Sequence, residues 1–266
     1  MTVCTSASTQ TALYSTLDRE YNQLMSGPYK DLGCAGLKDG RITGFWRPVV
    51  GISIEQLYSL WSVSQDIYYM DFLEDGLSKV SKVLLLKGYT ATPYYTQMID
   101  LTKSEQDLKR DLRKSYKSLV NKNVITNEMY EITPYRRLHE AVRGIKRSQD
   151  TWDVQQRMVW QNQAFCLTQT RFENMRNPLP SNVITEAGLI VYYNKDIAYY
   201  ASGCSVVDSH AVMWQAILKA KDLGCKRFEM GEQVFDDSKA GNISKFKRGF
   251  GGTCEIRLIL ERKKDE

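Results

Sequence analysis

The C-terminal hundred residues predict an α/β domain in which helices pack on a mixed sheet. Three observations carry this. First, two apolar, aromatic runs, 186–193 and 197–203, flank Asn194-Lys-Asp, whose composition is that of a hairpin turn. Second, a helical pattern follows Ser209, its predicted cap; Met213, Ala216, Ile217 and Ala220 form the inner face and Gly224 the stop. Third, strand-like runs at 225–231 and 254–260 bracket a polar loop with Gly241 and the glycine-rich segment Lys245-Phe-Lys-Arg-Gly-Phe-Gly-Gly. Hairpin, helix, strand, loop and strand in that order indicate a sheet covered by helices.

The elements upstream follow from the same periodicities. Glycines at 33, 36, 40 and 44 mark loops. The apolar run from Val80 to Leu86 reads as a strand ended by Gly88, and 94–101 as a second strand by alternation. A helix begins after Thr102 or Ser104, with Glu105 and Asp107 in the first turn, where the dipole favours anions. Leu108, Leu112, Tyr116 and Leu119 give it one apolar stripe, and Lys109, Arg110, Arg113, Lys114 and Lys117 the opposite face. Pro134 opens another helix that includes Leu138, Val142 and Ile145, and a third runs from Thr151 to about Gln163 with Trp152 and Gln155.

Composition bounds the function. At 266 residues the chain is long enough for a sizeable core, and its 42% apolar and 25% charged residues are an ordinary globular balance. Six scattered cysteines without a C-x-x-C pair, and only two histidines, argue against a structural zinc site; no metal is expected. The first residues lack the build of a signal peptide, and no apolar run approaches the roughly 18–20 residues of a membrane span. The expectation is a cytoplasmic protein with reduced thiols. The net charge of +5 is uneven: 101–147 holds twelve Lys/Arg against six Asp/Glu, an excess of six. Such a segment suits a protein that handles phosphates, although a solvated helix face has the same composition. The phosphate-binding, dinucleotide-binding, zinc-protease and nucleophile-elbow motifs are all missing, which weighs against an ATPase, a dehydrogenase, a zinc hydrolase and an α/β-hydrolase.

A resemblance takes the reading further. The stretch 209–232, Ser-His-Ala-Val-Met-Trp through Phe-Glu-Met-Gly-Glu, looks like the helix-strand segment of FemAB-like proteins. Downstream, Phe246-Lys-Arg-Gly-Phe-Gly is similar to their F-K-x-G-F-G motif, and Leu138-His-Glu with Thr151-Trp-Asp-Val-Gln is similar to a helical region of polysaccharide-linked members. The resemblance covers about 97–260. It implies a GNAT-like N-acyltransferase fold, a mixed, mostly antiparallel sheet flanked by helices, with 1–95 as a degenerate, truncated first unit and 96–266 as the transferase domain. It also implies an acyl- or aminoacyltransferase of cell-wall or polysaccharide biosynthesis. The donor would be acyl-CoA, another acyl thioester or aminoacyl-tRNA, used as co-substrate with no permanently bound cofactor. The acceptor would be a nucleotide- or lipid-linked amino sugar or peptide precursor. The chain lacks both the coiled-coil arm that some members offer to tRNA and the pyrophosphate loop of ordinary acetyl-CoA enzymes. A non-catalytic module that binds RNA or a nucleotide-sugar is the alternative.

Amine acylation needs a proton acceptor and a donor to the oxyanion. Glu229 and Glu232, at the end of one strand, are the candidate bases, with His210 beside them; each also reads as a packed or ion-paired side chain. In period two, Glu229 faces away from Phe228 and Met230. The resemblance gives Lys247 a substrate phosphate. Gly249, Gly251 and Gly252 would let backbone approach the anion, and Arg248 and Lys245 would help. Phe246 would line the substrate or pack the turn against the sheet. Arg113 is a further phosphate candidate. Trp152 and Gln155 are candidate acceptor contacts, although a tryptophan on an apolar stripe also reads as core.

Overall fold

A computed structural model of the chain describes residues 29–44, 48–122, 124–144, 147–172 and 183–262; Cys4 and Ile145 lie outside them. Two compact units divide it, one spanning 1–96 with 255–266, the other 97–254.

In the first unit, β1 (Lys30–Asp31), β2 (Gly36–Lys38), β3 (Arg41–Thr43) and β4 (Asp66–Ile67) form a sheet in that order, with only β3 and β4 parallel. β5 (Tyr69–Asp71) pairs antiparallel with Leu258–Leu260 of β12 (Thr253–Glu261). Helix α1 (Ile54–Trp61) starts in a capping box between Ser53 and Gln56. Its Leu57 joins Ile42, Ile67, Leu84 and Leu260 in one core.

The run expected as a strand from Val80 is instead α2 (Lys79–Leu86). Ser78 caps it by accepting from the Ser81 amide. Val80, Ser81 and Leu84 turn inward, while Leu86 is 86% exposed. A strand in the same run would have hidden every second residue; a helix needs one apolar stripe, and the surplus leucine is left in water.

The second unit takes in the last residues of β6 (Thr90–Asp100), then α3 (Glu105–Asp111), α4 (Tyr116–Leu119), β7 (Ile125–Met129), α5 (Thr133–Arg143), α6 (Gln149–Trp160), β8 (Ala164–Phe172), β9 (Val183–Tyr193), β10 (Ile197–Ser205), α7 (His210–Asp222), β11 (Arg227–Glu232) and α8 (Lys239–Arg248). The sheet order is β6-β11-β10-β9-β8-β7. Neighbours from β7 to β10 are antiparallel, and β10 and β11, joined by the crossover helix α7, are parallel. The mixed, mostly antiparallel sheet expected from the sequence is present.

Alternation sorts the two faces of the sheet. Leu189 and Val191 pack with Val212, Met213, Ala216 and Ile217 of α7, each buried Leu, Val, Met or Ile side chain contributing about 1.5–3 kcal/mol. On the other face, a Cβ at Gly188 would stand 2.8 Å from the Tyr135 ring of α5, so only glycine admits that helix so closely.

Two further expectations change. The single helix over Leu108 to Leu119 is broken: Leu112 is extended (ψ 142°), and the Arg113 amide leaves the helix to donate to the Gly249 carbonyl at 2.9 Å. The segment read as a polar loop leading into a glycine-rich turn is mostly helix α8, capped by Ser238, with Lys247 on its last turn. Gly241 sits inside it because the Asp236 backbone, with its carbonyl carbon 2.8 Å from where a Cβ would lie, leaves no room for a side chain.

Candidate active site

The second unit has a fork at the carboxyl ends of its parallel strands. β10 and β11 pair over Ile197–Tyr199 and Arg227–Glu229. β10 then shifts register between Tyr200 and Ser202 and continues to Ser205 along β9, while β11 runs on to Glu232. A register shift of this kind bends a strand. The parted carboxyl ends of parallel strands are where open α/β sheets hold ligands. A cavity of about 650 Å³ lies there, walled by Leu189, Tyr200, Cys204, Met213 and Phe246. Burial pushes the Tyr200 hydroxyl up to about 12, so it stays a neutral donor.

Helix α8 forms one wall with Lys239, Asn242, Ile243 and Phe246, the i, i+3, i+4, i+7 spacing of a single helix face. Lys247, the next residue, turns from that wall to the end of β11, where its Nζ is 3.3 Å from the Glu232 carbonyl. Gly231 (φ +82°) lies beneath: a Cβ there would be 3.5 Å from Lys247 Nζ and 3.6 Å from the Tyr199 hydroxyl. An ammonium and a phenol thus converge on one bare stretch of backbone. Arg248 donates to Gln233 Oε1 at 3.1 Å and covers the Phe235 ring.

A side chain on any of the glycines after α8 would meet protein. A Cβ on Gly249 would run into the Tyr116 ring; one on Gly251 would press Asp111, and one on Gly252 the Met98 backbone. Tyr116 is the hub of this packing. Its ring meets those of Phe246, Phe250 and His210, and its hydroxyl donates to the Phe246 carbonyl. Arg113 belongs to the same cluster, over Tyr116 and donating to the Lys245 carbonyl at 3.1 Å.

His210 begins α7, but Ser209 makes no capping bond. Asp208 takes the His210 amide at 3.0 Å, bonds its Nδ1, and forms an ion pair with Lys122 at 2.8 Å. Burial works against the Asp208 carboxylate, yet the bonds from Lys122 and His210 prevail and hold it at about 2. The imidazole Nε2 is buried among the rings without a hydrogen-bond partner among the described residues.

The structure therefore gathers His210, Phe246, Arg113 and Gly249 around Tyr116, and Lys247, Arg248 and Glu232 around the end of β11. Glu229 is fully buried opposite Tyr199, on the face away from Phe228 and Met230, which join the α7 core. Trp152 and Gln155 are not in this group. Both are buried under the other face of the sheet. Trp152 packs against Tyr135 and His139 between the guanidinium groups of Arg136 and Arg147, and Gln155 bridges Arg147 and the Tyr192 hydroxyl. Sequence reasoning passed over Tyr199, Gly231 and Asp208. The only signal for Asp208 was an acidic residue two places before a histidine at a helix start.

No family model and no curated sequence matches the chain. Solved structures do. FemX superposes with a TM-score of 0.67 over 96% of both chains at 10% identity. The fold is that of FemX. L-PGS from Bacillus licheniformis gives 0.56 over 90% of this chain and 84% of that one at 12% identity. The C-terminal domain of a provisionally assigned lysylphosphatidylglycerol synthetase from Agrobacterium fabrum gives 0.57 over 96% and 91% at 10%. The FemX match thus spans nearly the whole of both chains.

Proposed function

We propose that the chain is an acyl- or aminoacyltransferase that moves its group onto an amine of a cell-wall or lipid-linked precursor. The observation that carries this is the fork between β10 and β11, opening into a cavity, in a fold shared with FemX across nearly the whole of both chains. The L-PGS match agrees in kind, since lysylphosphatidylglycerol is by its name an amino acid joined to a lipid headgroup.

The chemistry asked of the site is small. An amine attacks an acyl carbon, the carbonyl oxygen gains charge, and the amine loses a proton. Lys247 Nζ and the Tyr199 hydroxyl, both within 3.6 Å of the position of a Cβ on Gly231, are the donors to that oxygen. Glu232, exposed at the end of β11, is the proton acceptor; Glu229 is sealed inside the sheet and holds the strand from within. His210, with Nε2 turned into aromatic rings, positions Phe246 along the cavity wall. Donor and acceptor carriers, whether a thioester of CoA, a charged tRNA or a nucleotide-linked precursor, all bring phosphates.

The test is a donor and acceptor panel. Purified chain is incubated with acyl-CoAs and aminoacyl-tRNAs, each with nucleotide-linked amino sugars and with aminolipids, and products are read by mass. The acceptor of one pairing should gain the mass of the transferred acid less water. Nucleotide or RNA binding without any mass gain across the panel would refute catalysis and favour a non-catalytic binding module.

A further inference from the structure

The bulge in β10 that opens the fork is gripped from the far side of the sheet. Strand alternation puts Tyr200 on the face of α7, packed against that core. Tyr200 pairs with Val191 and Ser202 with Ile190, so Ala201 is the extra residue. Ser202 therefore turns to the face of α5, and Gly203 lies on the α7 face under Tyr200. A Cβ on Gly203 would run into the Tyr200 hydroxyl and stand 3.0 Å from ring carbon Cζ. A slip of one residue that removed the bulge would turn Ser202 and all that follows to the opposite face. Ser202 would then take the place of Gly203, where no side chain fits, and Tyr200 would be displaced.

Polar side chains converge on the residue that decides between these registers. The Tyr135 hydroxyl donates to Ser202 Oγ at 2.7 Å, and Arg147 Nη2 donates to the same oxygen at 3.1 Å. Arg147 Nη1 donates to Gln155 Oε1 at 3.0 Å, and Gln155 Nε2 donates to the Tyr192 hydroxyl at 2.9 Å. The Arg147 guanidinium also covers the Trp152 ring, 5.0 Å from its centroid. Tyr135, Trp152, Gln155 and Tyr192 are each at most 2% exposed, so the grip is anchored in packed core. Beside it, Arg143 donates to the Gly203 carbonyl at 3.1 Å. A regular antiparallel pair is held by its own ladder; a bulge leaves one residue outside the ladder, and here side chains take over that task.

We infer that Tyr135, Arg147 and Ser202 are positioning residues, a clamp that holds β10 in the bulged register and so sets Tyr200 along the cavity wall. Tyr200 and Gly203 line the cavity, and none of the three clamp residues does. The bearing on transfer rests on the reading proposed above; the clamp itself does not.

The experiment uses Cys204 as a reporter. It lines the cavity two residues beyond Ser202, is 8% exposed, and burial holds its thiol up at about 11, so it alkylates slowly. Cys166, fully buried on β8 under the same face, reports opening of the sheet as a whole. The full chain is treated with iodoacetamide, and both sites are read by peptide mass. Ser202→Ala should speed alkylation at Cys204 about tenfold, the effect of losing one hydrogen bond to a charged group, and leave Cys166 unchanged. Tyr135→Phe should speed it about fivefold, and the double variant should be no faster than Ser202→Ala alone, because both changes act through one hydroxyl. An unchanged Cys204 rate in Ser202→Ala, multiplied effects in the double variant, or a matching rise at Cys166 would each overturn the inference. With whichever donor and acceptor turn over, Ser202→Ala should lower kcat about tenfold and keep KM within about twofold, since the hydroxyl lies outside the cavity. An unchanged kcat would overturn the positioning role. No turnover with any pairing, alongside the expected labelling, would sink the transfer reading and leave the clamp standing.

Discussion

Gly249→Ala tests whether the glycine after α8 exists for packing or for ligand approach. Gly249 has φ −64°, a conformation any residue adopts, so the substitution carries no backbone penalty. Its whole cost is steric. The new methyl would lie inside the van der Waals envelope of Tyr116, against three ring carbons, the farthest at 2.8 Å, whereas ordinary contact begins near 3.4 Å. Tyr116 has nowhere to retreat, because its ring is held by Phe246, Phe250 and His210. Overpacking of this kind costs about 1–3 kcal/mol. For a chain of this size that corresponds to a fall in Tm of very roughly 2–12 °C, measured by calorimetry or urea unfolding. Tyr116→Ala alone is also destabilising, through the cavity it leaves. In the double variant the methyl enters that space, so the two losses should fall short of additive by 0.5 kcal/mol or more, an interaction read from a double-mutant cycle. A Gly249→Ala protein as stable as the parent but weaker in ligand binding would refute the packing account and restore the anion-facing role.

Other expectations follow from the same geometry. Lys247→Ala should lower transfer by about 10²–10³-fold, as loss of an oxyanion donor does. Retained activity would remove that role. Asp208 is held at about 2, below its ordinary 3.8, so its contribution to stability is complete above pH 4 and is lost as pH falls through about 2. Asp208→Asn should flatten that part of a urea-denaturation series; an unchanged acid limb would count against the Lys122 and His210 contacts. His139 is lowered from 6.5 to about 4 by burial, with Arg147 and Arg143 adding to it. The unfolded chain therefore takes up a proton first, and stability rises with pH between about 4 and 6.5. His139→Phe should remove that slope, and a slope that persists would point to another group.

How much of this was readable in advance depended on whether a signal was local. The hairpin at Asn194, the strand at 227–232 and the stop at Gly224 (φ +86°) are set by their own residues and are where the pattern put them. The run after Ser78 misled because a short apolar stretch has no readable period, and the cap was the only cue that separated helix from strand. Helix α8 misled for the opposite reason: Gly241 reads as a loop residue until the Asp236 backbone is seen pressed against it. The site divides in the same way. Lys247 and Phe246 could be picked out by resemblance to a motif. Tyr199 and Gly231 matter only because β10 and β11 part after Tyr199, a tertiary fact with no trace in either strand's sequence. Trp152 and Gln155 drew attention by residue type, but what they meet is Arg147, just before their own helix, and Tyr192 from a distant strand.

The charge at the end of α8 also explains why this helix carries so many cations where it meets the site. The last carbonyls of a helix present a partial negative charge, which repels a phosphate or a developing oxyanion. Here that end lies at the fork, and the Glu232 carbonyl adds another oxygen near Lys247. Three cations, Lys245, Lys247 and Arg248, occupy the last turn. Lys245 is tied to Asp237 at 2.9 Å, and Arg248 is drawn to Gln233 and Phe235. Lys247 is the one whose ammonium reaches the bare backbone at Gly231. In the transfer reading proposed above, its charge offsets the partial charge of the helix end beside the ligand, and a neutral side chain of similar length would leave that end uncompensated where negative charge has to develop.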